Sequence, residues 1–125
     1  MTALGYDGGL HCDLRVSDVA RAIDWYTAVL EFEVIEHVPE AGWAELSTPV
    51  PGVKVGLTQV EELPAPGGGA VLTFGVGNVD DARERLESLD VRFDGETCEI
   101  PGYVRLATLY DPDGNVLMLY QDLAR

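Results

Sequence analysis

Basic residues, cysteines, histidines and long apolar runs are all scarce in this sequence. Lysine and arginine number 8 against 22 aspartates and glutamates, a formal charge of −14. Such a field repels phosphate backbones and anionic lipid surfaces, which argues against nucleic-acid and membrane partners. The charges are scattered, so they serve solubility and form no acidic tail. No apolar run approaches the roughly 20 residues that span a bilayer. Met1 to Gly9 has neither a basic nor an apolar region, so no signal peptide is read and a cytoplasmic protein is expected. The two cysteines, Cys12 and Cys98, fall in strand-like runs. Two buried thiols are expected rather than a disulfide. No Gly-x-Ser-x-Gly nucleophile motif occurs. Gly67-Gly68-Gly69 has no lysine after it and leads directly into no helix, so it is no phosphate loop.

What is present suits one ordinary domain of 125 residues, with 46% hydrophobic residues, enough for a core. Residues 9–16 alternate as a strand. Leu10, Cys12, Leu14 and Val16 point one way and His11, Asp13 and Arg15 the other. Ser17 or Asp18 supplies an N-cap. Val19, Ala22, Ile23, Tyr26, Val29 and Leu30 recur at helical spacing over 19–30, with Trp25 flanking that stripe. Strands are expected at Phe32–Val38, Trp43–Ser47 and Val53–Thr58. Pro39 to Gly42 makes a turn and Thr48 to Gly52 a rigid loop. Trp43, Glu45 and Ser47 share one face; Val53, Val55 and Leu57 point inward.

Residues 61–69, with two prolines and three glycines, form the one convincing linker. The plan then repeats. Ala70–Val76 is a strand, and Asn78 caps a helix with Val79, Ala82, Leu86 and Leu89 as its stripe. A strand from Val91 is expected to continue to about Cys98, followed by strands Tyr103–Tyr110 and Val116–Tyr120. Asp111 to Asn115 is a tight turn. It lacks the spaced carboxylates and closing glutamate of a calcium loop. The chain thus reads as one α+β domain of two βαβββ modules, about 8–60 and 70–122. Each module leaves one sheet face uncovered, and the two uncovered faces are expected to curve into a cleft.

Leu14-Arg15-Val16-Ser17-Asp18, the pair Trp25-Tyr26 followed by Val29-Leu30, and Tyr110-Asp111-Pro112-Asp113-Gly114-Asn115-Val116-Leu117 resemble the vicinal oxygen chelate superfamily. That group holds glyoxalase I, bleomycin-resistance and fosfomycin-resistance proteins, extradiol dioxygenases and methylmalonyl-CoA epimerases. The resemblance runs from about Gly9 to Gln121. It implies paired βαβββ modules forming a partly closed strand barrel, and a homodimer. Fold carries no reaction with it, since function resides in the site.

In metal-dependent members, four side chains on the first and last strand of each module hold one divalent cation, which acts as a Lewis acid. By the resemblance those positions fall on His11, Gly56, Val71 and Met118. A glycine, a valine and a thioether replace imidazole or carboxylate. No metal or other cofactor is therefore expected, and the pocket floor becomes apolar, as suits an apolar ligand. An alternative set of His11, Asp13 and a neighbouring-strand Glu45 is conceivable. His37, at the far end of its strand, is expected at the surface.

His11 faces with Asp13 and Arg15, either as a polar anchor or general base or as a vestigial ligand now hydrogen-bonded. Arg15 falls where glyoxalase I-like members grip a substrate carboxylate; it could equally pair with Asp13 or Glu45. Trp43, Tyr103, Tyr110 and Tyr120 offer stacking surfaces, with Trp43 and Tyr120 best placed by alternation. Glu45 is a candidate base or cation anchor, or simply a solvated strand residue. The function expected is small-molecule binding of the antibiotic- or metabolite-sequestering kind. The rivals are a glyoxalase-like lyase or isomerase, with His11 or Glu45 catalytic, and an interaction module.

Overall fold

The computed structural model describes residues 3, 5, 10–63 and 71–123. Gly9, Ala70 and linker positions 64–69 lie outside the described residues. The chain divides into two compact units, residues 1–63 and 64–125. Both are α+β.

In the first unit, β1 (Leu10–Val16), β2 (Glu33–Val38), β3 (Trp43–Ser47) and β4 (Val53–Gln59) form one sheet in the order β1-β4-β3-β2. β1 runs parallel to β4, and the other pairings are antiparallel. α1 (Val19–Val29) connects β1 to β2. Strand alternation assigns the faces. Val16, Ala44, Leu46, Val55 and Leu57 are fully buried, as is Tyr26 of α1, with Val19 and Ala22 nearly so. Phe32, expected to open β2, instead lies just before it and stacks on Tyr26 at 5.5 Å. Its backbone N–H donates to the Tyr26 carbonyl. The reversal is made by Glu31 at φ 63°, a left-handed position more often given to glycine. β2, including His37, is exposed for almost its whole length.

The second unit places β5 (Leu72–Gly75), β9 (Val116–Asp122), β8 (Val104–Tyr110) and β6 (Arg92–Phe93) in that order, with β7 (Cys98–Ile100) also paired to β8. α2 (Val79–Glu87) follows β5. Val79, Leu86 and Val91 are buried with Ala107, Leu109, Leu117 and Leu119. The strand expected from Val91 to Cys98 is broken in two. Gly95 sits at φ 68°, and Arg83 of α2 donates to Gly95 O at 2.7 Å and to Thr97 Oγ1 at 3.2 Å. Asp94 N still donates to Thr108 O of β8 at 2.8 Å, and residues 95–97 leave the ladder. The break leaves β7 short and exposed, so Cys98 is exposed rather than buried, while Cys12 is half-buried; both are free thiols. Leu89 lies beyond the helix end and is also exposed. Arg105 joins β8 to its neighbours, donating to Glu99 at 2.8 Å and to Asp80 at 2.7 Å. Those two carboxylates hold the guanidinium above its ordinary pKa.

One device occurs in both units. Asp18 and Asn78 cap their helices by accepting from the third residue on, Arg21 N at 3.0 Å and Asp81 N at 2.9 Å. Gln59 and Gln121, at the ends of β4 and β9, accept from Val19 N at 3.1 Å and Val79 N at 2.9 Å. Each first turn is thus tied to a strand by the side chain opposite, which satisfies a donor the helix cannot. Among the described residues no helix is long and apolar enough to cross a membrane.

Leu57→Ala is expected to cost about 2–5 kcal/mol in urea unfolding, as a cavity at a fully buried leucine does. Gln121→Ala should cost about 1–2 kcal/mol by leaving the Val79 amide without its acceptor.

Candidate functional site

The helix-free face of the first sheet carries the residues of opposite parity. On β1 these are His11, Asp13 and Arg15; on β3, Trp43, Glu45 and Ser47; on β4, Lys54, Gly56 and Thr58. Gly56 is the centre of this face. It pairs with Asp13 on one side and Glu45 on the other. His11 and Glu45 therefore stand two strands apart, about 9–10 Å in backbone spacing, not on neighbouring strands as expected. His11 Nδ1 nevertheless lies 3.1 Å from Glu45 Oε2.

Only a missing side chain at 56 permits that reach. A Cβ there would collide with His11 Nε2 and would stand 2.8 Å from Asp13 Oδ1 and 3.0 Å from His11 Cε1. The imidazole lies across the space a side chain would fill. A carboxylate can only accept, so Nδ1 carries the proton of this bond. Beside the pair, Asp13 accepts from Arg15 and from Thr58 Oγ1, which is 3.0 Å from both of its oxygens. The Trp43 ring runs parallel to the imidazole, at 7° with centroids 6.4 Å apart. Side-chain exposure is 36% for His11 and 20% for Glu45, so solutes can reach the cluster. Arg15 pairs with Asp13, one of the two partners open to it from the sequence, and its position on this face fits an anchor for an anionic group as well.

The second unit can be read in the same register. Thr73 and Thr108 flank Met118 as Asp13 and Glu45 flank Gly56. Gly75 and Leu106 flank Tyr120 as Arg15 and Trp43 flank Thr58. Val71, two residues before Thr73, precedes β5 rather than lying within it. Where the first unit has carboxylates, imidazole and guanidinium, the second has threonines, valine and glycine. The Tyr120 ring lies against Gly75: a Cβ there would stand 2.9 Å from Tyr120 Cζ and Oη. Tyr120 keeps 37% exposure. Tyr103 does not join this face. It sits in the turn before β8, 70% exposed, with the parity of buried Ala107 and Leu109. Tyr110 is engaged locally, with the Arg92 guanidinium 4.8 Å from its ring centroid. Burial, and then the Asp94 carboxylate, push its phenol above the ordinary value. Asp111 is spent on its own turn, accepting from Asp113 N at 2.9 Å, Asn115 N at 2.8 Å and Asn115 Nδ2 at 2.8 Å.

The sequence model of the Glyoxalase/Bleomycin resistance protein/Dioxygenase superfamily matches residues 9–119. The chain belongs to that superfamily. Among solved structures, superfamily relatives align over nearly the whole chain. TnmS3, an antibiotic binding protein from Streptomyces sp. CB03234, has 25% identity and a TM-score of 0.76, covering 98% of this chain and 99% of its own. A glyoxalase/bleomycin resistance protein from the same Streptomyces strain has 28% identity and a TM-score of 0.70, covering 90% and 99%. The fosfomycin resistance protein FosX from Listeria monocytogenes, solved with Mn(II) and sulfate, has 19% identity and a TM-score of 0.76, covering 94% and 91%, and shares the fold. A search of curated proteins finds no match.

The four positions that the superfamily resemblance assigns to a cation carry one imidazole, no side chain, an isopropyl group and a thioether. The imidazole has one nitrogen committed to Glu45. That set does not fit a hard divalent cation, which needs converging imidazole or carboxylate ligands. The sequence pattern offered His11, Asp13 and Glu45 as one conceivable set; the role of Gly56 in joining His11 to Glu45 was not visible. The signal was present in a glycine inside a strand, which often marks a close approach.

Two outcomes follow. Gly75→Ala should displace the exposed Tyr120 ring while changing stability in urea unfolding by no more than about 0.5 kcal/mol, as at other surface positions. Tyr110, with its folded pKa raised, contributes stability that is present below about pH 10 and lost as pH rises through the folded value. Tyr110→Phe should remove that alkaline loss in melts recorded from pH 8 to 11.

Proposed function

We propose that this chain binds a planar small molecule, of the antibiotic or metabolite kind, without the divalent cation of its metal-dependent relatives. One observation carries the reading: Gly56, at a cation position, is overlain by a His11 imidazole turned to Glu45. The polar groups of the face are joined to one another and not left converging on a common centre. Trp43 supplies a flat apolar surface beside them, and His11, Glu45, Asp13 and Arg15 supply polar anchors, the mixture typical of ligand pockets. The likeness to an antibiotic binding protein supports the same reading. On the second unit's own face, Met118 and Tyr120 would contribute apolar surface. Superfamily membership also supports a homodimer, which gel filtration would report as twice the chain mass.

A second reading, a metal-independent lyase or isomerase of the glyoxalase type, is favoured by the same His11–Glu45 bond, since a carboxylate on one nitrogen orients an imidazole for proton transfer. Turnover of a hemithioacetal, lost in His11→Ala, would favour it over sequestration.

In a Trp25→Phe background, Trp43 reports the face alone. Its emission should change on titration with a panel of planar antibiotics, and Trp43→Ala should weaken the binding seen by calorimetry about tenfold. Elemental analysis of protein purified without chelator should show no stoichiometric divalent cation. A stoichiometric cation that disappears in His11→Ala would overturn the reading.

A further inference from the structure

The bond between His11 and Glu45 fixes more than the position of a ring. A neutral imidazole with its Nδ1–H given to a carboxylate has its lone pair on Nε2, so in that form Nε2 accepts. Free histidine chains in water show no such constraint from a partner. Here the constraint comes from two residues beside the ring. Glu45 accepts the hydrogen bond from Nδ1, and Gly56 leaves the space through which the ring crosses β4. Among the described residues Nε2 has no hydrogen-bond partner, and the His11 side chain is 36% exposed. The corresponding set in the second unit, Val71, Thr108 and Met118, offers nothing similar.

We infer that Glu45 and Gly56 are positioning residues that hold His11 in the Nδ1–H tautomer. His11 Nε2 is then the specificity-determining acceptor of this face. The ligand class it selects is a planar ring bearing a hydroxyl or N–H donor. This rests on the small-molecule reading above. A ring of the same size whose donor is capped by methyl leaves Nε2 unpaired on binding, and an unpaired acceptor costs more than the bond contributes. The Trp43 ring, parallel to the imidazole, accepts either ring alike, so the discrimination falls on Nε2.

The first arm of the test uses no ligand. Long-range ¹H–¹⁵N spectra of the free protein report which imidazole nitrogen carries hydrogen. Wild type should show the Nδ1–H form at His11. Glu45→Ala and Gly56→Ala should lose it, while Glu45→Gln, whose amide oxygen still accepts, should keep it. A merely structural role for Glu45 would not separate the alanine from the glutamine. The second arm compares 2-naphthol, 2-methoxynaphthalene and naphthalene by calorimetry. Wild type should prefer the naphthol to both others by about tenfold, the equivalent of one good hydrogen bond. Glu45→Ala should flatten that preference and Glu45→Gln retain it. An Nε2–H tautomer in the wild-type spectrum, or equal affinity for all three probes, overturns the inference and leaves the binding reading standing. Failure of all three probes to bind overturns both.

Discussion

Each sheet can bury only one face beneath its one helix. Val16, Ala44, Leu46, Val55 and Leu57 take the buried side in the first unit, against Val19, Ala22 and Tyr26. Because side chains alternate along a strand, that choice sends His11, Asp13, Arg15, Trp43, Glu45, Gly56 and Thr58 to the other side together. A one-residue slip of β4 against its neighbours would exchange the two sets and lose the core. The hydrophobic contact that stabilises the fold is therefore also what assembles the candidate site. Gln59 adds to this by tying the first turn of α1 to the end of β4, which locks helix and strand register to each other.

Within that frame the two units diverge in chemistry while keeping their register. The pairs flanking Gly56 and Met118 are carboxylates in one case and threonines in the other. Glycine is used twice to opposite effect. Gly56 lets an imidazole cross a strand to a carboxylate, and Gly75 lets a tyrosine ring lie on the backbone. In both places the absent Cβ lets a neighbouring side chain lie against the strand backbone. The His11 imidazole, on the face opposite the core, has the Glu45 carboxylate as its partner.

Much of the fold was legible beforehand. The alternation of 10–16, the helical stripe of 19–29 and the caps Asp18 and Asn78 depend on local periodicity, which sequence states directly. The strand expected from Val91 to Cys98 is interrupted at residues 95–97, where Arg83, more than ten positions away, bonds Gly95 and Thr97. Cys98 was misplaced for the same reason, and Tyr103 because the turn before β8 ends later than its composition suggests. The face to which His11, Asp13, Arg15, Trp43 and Glu45 belong was readable from parity. Which of them touch was not.

The sequence by itself determined the α+β plan, its internal repetition and the superfamily, since all of these are local patterns or spacings. Only the tertiary structure decided that β4 lies between β1 and β3. From that order follow the rest: Gly56 sits between His11 and Glu45, its missing side chain opens the way across, and a hydrogen bond spans two strands. Strand order is set by which surfaces pack, not by distance along the chain, and so the pairing of residues 34 positions apart could be learned only from the folded protein.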